Sequence, residues 1–122
     1  MLNNGGPRGP PFQSGYKMRG INYYVKQAQM TIDELAYAAG VSRVTASKWV
    51  NNRSKPHALI RKRISRLLGR IRVAVDEGKL PSVDDDRVTV RARVANADGT
   101  IKLHPIYVRP SVMKALDITL PS

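Results

Sequence analysis

The 122-residue chain contains no cysteine, which excludes a disulfide framework, a thiolate metal site and thiol catalysis. Aromatic side chains are few, with one Trp, one Phe and five Tyr, which offers little of the stacking platform that reads single-stranded RNA. No apolar run approaches the roughly 18 residues that a membrane span requires, so no membrane-embedded segment is expected. The opening residues MLNNGGPRGPPFQSG hold no apolar core stretch and do not read as a secretory signal. Only two histidines occur, His57 and His104, and neither sits beside a serine or acid in the order a triad needs. Glycine-rich phosphate loops, paired carboxylates and metal-ligand spacings are also missing. An enzyme is therefore not expected, and no cofactor or metal is implied.

Acidic residues are scarce as well. Nine Asp and Glu stand against 21 Lys and Arg, a formal net charge of +12. Such an excess points to a polyanion, nucleic acid first and an anionic membrane surface second. The imbalance is concentrated: residues 1–80 hold 15 cations and 4 acids, whereas residues 81–122 hold 6 and 5. Whatever meets the polyanion lies mostly in the first two thirds. A reducing, cytoplasmic setting fits the absence of cysteine, with nucleoid association when bound.

Residues 1–16 are rich in Gly and Pro and poor in apolar side chains, which predicts a flexible arm. Arg8 could take that arm into a minor groove, although one charge favours a plain tail. From Ile21 onward, Ile21, Tyr24, Val25 and Ala28 recur at helical spacing and predict a short amphipathic helix to Met30. Thr31 and Glu34 then form a capping box that opens a second helix, with Leu35, Ala36 and Ala39 inward. Gly40 stops it, because glycine takes the left-handed conformation freely. Ser42 caps a third helix over about 43–51, with Ala46, Trp49 and Val50 inward. A fourth, about 57–77, carries Ile60, Ile64, Leu67, Ile71 and Ala74 as a stripe, with Arg61, Lys62, Arg63, Arg66, Arg70 and Arg72 around it. The front of this helix suits phosphate contact, and a merely solvated face is the plain alternative.

Gly78 and Pro81 end the helical part, and Asp84-Asp85-Asp86 make an acidic linker without the glycine of a calcium loop. Residues 87–94 then alternate strictly, with Arg87, Arg91 and Arg93 on one face and Val88, Val90, Ala92 and Val94 on the other. A turn at 96–99 leads to a returning strand over 100–108, in which Pro105 demands an edge or a bend. Pro110 and Ser111 start a short last helix. The fold class is α+β: an arm (1–16), a helical domain (17–80), a linker (81–86) and a hairpin element (87–122). An isolated hairpin is marginal in water, so this one must lean on the helices or pair with a second copy.

The helix, glycine turn and helix of residues 31–52 place a small residue, Ala36, where two helices approach closely. Val41 plugs the turn and Trp49 fills the inner face. This spacing is a helix-turn-helix, whose second helix enters the major groove. The stretch TIDELAYAAGVSRVTASKWVNNRSKP resembles the lambda-repressor-like, or XRE-type, helix-turn-helix family through Thr31, Leu35, Ala36, Gly40, Val41, Ser42, Ser47, Trp49 and Pro56. Ile32 stands where the family usually has a phosphate-touching Gln, and Asn52 where it has Gly, whose left-handed conformation Asn tolerates. After Pro56 one long basic helix replaces the family's two shorter ones.

The resemblance implies a DNA-binding surface of Arg43, Val44, Thr45, Ser47 and Lys48 on the recognition helix. Arg43 suits bidentate contact with guanine, and Val44 or Thr45 suits a thymine methyl. Arg53 and Lys55 in the following loop, with Arg61 and Lys62 on the next helix, suit phosphates. The implied function is sequence-specific binding of double-stranded DNA by a transcriptional regulator, a repressor acting as a homodimer on an inverted repeat. The dimer contact is expected on the valine face of the hairpin and the Ile64/Leu67/Ile71 stripe. Two alternatives stay open: a DNA-binding antitoxin whose hairpin holds a protein partner, and a phage-type packaging or recombination accessory protein.

Overall fold

In the computed structural model the described residues are 20–95 and 99–120. The expected arm at residues 1–16, with Arg8, and most of the expected turn lie outside them. Five helices and one hairpin follow in the order α1 (Ile21–Ala28), α2 (Ile32–Ala39), α3 (Arg43–Val50), α4 (Ala58–Asp76), β1 (Val88–Ala95), β2 (Ile101–Val108) and α5 (Pro110–Ala115). The architecture is α+β, a helical unit followed by a two-stranded antiparallel hairpin and a short helix.

Local chemistry sets the helix ends. Thr31 Oγ1 accepts from the Glu34 backbone N–H and Glu34 Oε1 accepts from the Thr31 N–H, at 3.1 and 2.9 Å. Those two bonds satisfy donors that the first turn of α2 would otherwise leave orphaned. Gly40 closes α2 at φ +69°, a region where a side chain would be strained. Ser42 caps α3 by accepting from the Thr45 N–H at 3.1 Å. Asn52 takes φ +59° in the turn that follows, the left-handed conformation expected of it. His57 Nδ1 caps α4 by accepting from the Leu59 N–H at 3.2 Å.

Ala36, Ala46, Leu35 and Ile71 are fully buried and Trp49 nearly so, which lets α2 and α3 pack closely over α4 and α1. Truncating Trp49 to alanine would cost about 3–5 kcal/mol through the cavity left behind. The stripe on α4 is buried at Ile64, Leu67, Ile71 and Ala74, and Leu68 joins it. Ile60 is only half-buried. The helical part and the hairpin share one apolar core, because Val90, Ile106 and Val108 from the strands and Val112, Met113 and Leu116 from the last helix join the same cluster.

This burial corrects the expected dimer contact. Ile64, Leu67 and Ile71 are 2%, 6% and 0% exposed, consumed within the chain's own core. Val90 from the valine face of the hairpin is buried in that core too, whereas Val88 on the same face is 41% exposed. Of the two options the alternation left open, packing against the helical part is the one Val90 takes.

Strand register explains Pro105. Val88 pairs with Val108, Thr89 with Tyr107 and Arg91 with Pro105. The Tyr107 N–H leaves the ladder and donates to Asp33 Oδ2 at 3.0 Å, so alternate positions of β2 face away from β1. Pro105 has the same parity and sits on that outward edge, where its missing N–H breaks no ladder bond.

Candidate nucleic-acid interface

α3 divides into a buried side, Ala46 and Trp49, and an open side. Val44 is 64% exposed, a fully apolar side chain left in solvent. Lys48 is exposed beside it, one turn further on, and Ser47 is half-buried. Ser47 Oγ accepts from Asn51 Nδ2 at 3.3 Å. Thr45 is half-buried as well, and its Oγ1 accepts from the Ser42 hydroxyl at 3.0 Å. Of the two candidates for a thymine methyl, Val44 is thus the more open.

Arg53 and Lys55 lie exposed on the loop between α3 and α4, and Arg61 and Lys62 lie exposed on the first turns of α4. The Arg53 N–H donates to the Lys48 carbonyl at 2.8 Å, which pins the start of that loop to the end of α3. None of Lys48, Arg53, Lys55, Arg61 or Lys62 makes an ion pair among the described residues. These are five exposed cations without acidic partners among the described residues, on α3, the loop after it and the start of α4, and such groups suit phosphate oxygens.

Arg43 differs from those five. Its Nε donates to Asp33 Oδ1 at 2.6 Å, and its Nη2 to Asp33 Oδ2 and the Pro105 carbonyl, both at 3.1 Å. Asp33 carries a second load, since Oδ2 also accepts the Tyr107 N–H. Burial works against the charge on Asp33, but the hydrogen bonds from Arg43 and Tyr107, and the nearby charges of Arg43 and Arg87, hold its carboxyl below the ordinary value. The same hydrogen bond to Asp33 raises the Arg43 guanidinium further. Nη1 of Arg43 takes part in none of these bonds. With Nε and both hydrogens of Nη2 engaged, Nη1 alone is left to donate, so the bidentate contact with guanine expected of Arg43 is not open unless its bonds to Asp33 or Pro105 break.

Pro105 and Tyr107 were invisible as neighbours of this site, because 62 and 74 positions separate them from Arg43 and Asp33, whereas Asp33 lies only 10 positions before Arg43. One clue was present: α2 opens with two adjacent acids in a chain that has few. The second, Glu34, is fully buried and pairs with Arg109, whose Nε and Nη2 donate to its two oxygens at 2.8 and 3.0 Å. The Arg109 backbone N–H donates to the same carboxylate at 2.9 Å and Nη2 also reaches the Gln29 carbonyl at 2.8 Å. A buried polar group needs such complete satisfaction to be tolerated. Among the described residues no group of histidines and acids is arranged to hold a metal, and no helix is long and apolar enough to cross a membrane.

Comparison with known proteins agrees with this geometry. Residues 21–74 match the family described as Helix-turn-helix. No curated protein and no solved structure matches the chain. The matched segment spans α1 to α4 almost to its end, with the capped second helix, the glycine turn and the exposed third helix all inside it. Over residues 21–74, just under half of its length, the chain is similar to helix-turn-helix domains of the lambda-repressor-like kind, the DNA-binding kind found in transcription regulators.

Proposed function

We propose that the protein is a sequence-specific double-stranded DNA-binding repressor that acts as a homodimer on an inverted-repeat operator in the cytoplasm. The observation that supports this most is the open face of α3, with Val44 and Lys48 exposed, followed along the chain by exposed Arg53, Lys55, Arg61 and Lys62 that make no ion pair among the described residues. In this reading Val44 packs on a thymine methyl, while Ser47 and Lys48 reach base edges. Arg43 offers its remaining nitrogen, Nη1, to a guanine, with its orientation fixed by Asp33. Phosphates are held by Arg53, Lys55, Arg61 and Lys62. No catalytic step and no cofactor belongs to this function.

One helix-turn-helix reads too few base pairs for selective binding, so two copies are needed. With the α4 stripe consumed inside the chain, the second copy takes the outer half of β2. Ile101 and Leu103 are each 56% exposed there. They lie beyond Pro105, past the part of the β2 edge that α2 and α3 cover. Selection from random duplex DNA near physiological salt tests the reading. An enriched inverted repeat with half-sites about one helical turn apart is expected. Salt-sensitive binding without any enrichment would overturn it and leave contact with phosphates alone.

A further inference from the structure

The hairpin is cationic and stands against the reading end of the domain. Its two strands contain no Asp or Glu, with Asp98 between them and Asp84, Asp85 and Asp86 just before Arg87. Arg87, Arg91 and Lys102 are exposed and make no ion pair among the described residues. Position is set by hydrogen bonds and not by charge alone. Arg91 pairs across the ladder with Pro105, whose carbonyl accepts from Arg43, the first residue of the recognition helix. Arg87 lines an open hollow together with Thr31, Ile32 and Asp33 at the start of α2, and Tyr107 closes its other side. In helix-turn-helix docking the N-terminal residues of the second helix contact base edges while the first helix crosses the backbone. The arginine face of β1 therefore begins where the reading surface ends.

Charge also selects what this face can meet. Side chains alternate along a strand, so Arg87 and Arg91 project from the same side, about 13 Å apart at 3.3 Å per residue. The bonds that Asp33 and Arg43 make to the hairpin reach it through β2, and β1 pairs with β2 on one side only in this two-stranded sheet. A second β1 docked there would set guanidinium against guanidinium, which is unfavourable. A run of phosphates would neutralise them instead.

We infer that the Arg87–Arg91 face of the hairpin is a second DNA-backbone contact, gripping phosphates beside the segment that α3 reads. The inference rests on the DNA-binding reading above and deepens it. It gives the hairpin a share in affinity that is separate from dimerisation and carries no base preference.

The test is the salt dependence of binding of a labelled duplex to the full chain, followed by fluorescence anisotropy over a range of KCl. Each phosphate contact contributes about 0.9 to the slope of log K against log salt. Replacing Arg87→Ala and Arg91→Ala together is expected to lower that slope by about 2, and to weaken selected and random duplexes by the same factor. Sedimentation mass and the circular dichroism spectrum should match the parent chain, since both side chains are exposed and unpaired. The conservative pair Arg87→Lys and Arg91→Lys should restore most of the slope. Arg53→Ala with Lys55→Ala serves as the reference for the helix-turn-helix itself. A slope lowered by the reference pair but unchanged by Arg87→Ala/Arg91→Ala overturns the inference and leaves the DNA-binding reading standing. Parent protein that binds no duplex overturns both.

Discussion

Asp33 and Glu34 are neighbours in the first turn of α2, and each carboxylate does the same two things. Each accepts a backbone N–H from the outward edge of β2 or its continuation, Tyr107 for Asp33 and Arg109 for Glu34. Each also holds an arginine. What separates them is water. The Glu34 and Arg109 side chains are 1% and 7% exposed, whereas those of Asp33 and Arg43 are 16% and 53% exposed. The first pair joins the hairpin to the core, and the second joins it to the recognition helix at the surface. Glu34 accepts the Thr31 N–H in addition, but the shared bonding has different consequences because an uncompensated charge is costly only where solvent cannot reach it.

The largest expected effect follows from the buried pair. Glu34→Ala leaves the Arg109 guanidinium without its counter-ion and strips an acceptor from the Thr31 N–H, so a loss of about 3–5 kcal/mol is expected in urea unfolding. Removing both charges, with Glu34→Leu and Arg109→Met, should cost clearly less than the sum of the single changes. An additive double variant would show that the two side chains are packed together without being coupled, and the contrast with the surface pair would collapse.

Acid should act on the same joint. Burial alone would raise the Glu34 carboxyl, yet the side-chain bond from Arg109 and the backbone bonds from Thr31 and Arg109 outweigh it and lower it below its ordinary 4.5. A carboxyl lowered by folding contributes stability that is fully present above its unfolded value and is lost as pH falls through its folded one. Thermal stability should therefore be flat above about pH 5 and decline below about 4.5. Asp33, lowered from 3.8, should add a smaller decline at still lower pH. Glu34→Gln should shrink the acid decline, and an unchanged decline would mean that other carboxylates carry it.

Much of the helical half was legible in the sequence because its signals are local. The capping box at Thr31 and Glu34, the left-handed stops at Gly40 and Asn52 and the stripe on α4 depend on residues only a few positions apart, and the matching helix ends lie within a residue or two of those expected. Pro105 likewise told of an edge. The joint between the two halves was not legible. Glu34 presented itself as a cap, which it is, but nothing near it named Arg109 as its partner 75 positions away. The dimer surface was misplaced for a related reason. An apolar face shows in periodicity, yet periodicity cannot tell whether the chain's own core or another copy covers Ile64, Leu67 and Ile71. Arg43, Val44, Thr45, Ser47 and Lys48 could be assigned to one helix, but not the carboxylate and carbonyl that hold Arg43.

The surface pair gives the next prediction, one of recognition more than of stability. Arg43→Ala is expected to relax base preference at a single operator position and to cost about 1–3 kcal/mol of specific binding. Repeating the selection experiment with the variant would show it. An unchanged motif with uniformly weaker binding would make Arg43 a strut between α3 and β2, its whole guanidinium spent on Asp33 and Pro105.

Asp33→Asn sharpens this at the smallest expected cost. Asparagine keeps an oxygen for the Tyr107 N–H and loses only the charge that steadies Arg43, so about 1 kcal/mol or less of stability should go, as for exposed ion pairs in general. Its effect on binding depends on how Arg43 is used. If the carboxylate aims Arg43 at a guanine, the variant should lose discrimination at the same operator position as Arg43→Ala, by a smaller factor, while the salt slope stays near the parent value. The two variants combined should then do no more damage than Arg43→Ala alone, because an aspartate that acts only through an arginine has nothing left to act on. Additive losses would instead place Asp33 in a role of its own, holding the hairpin edge against α2 through Tyr107.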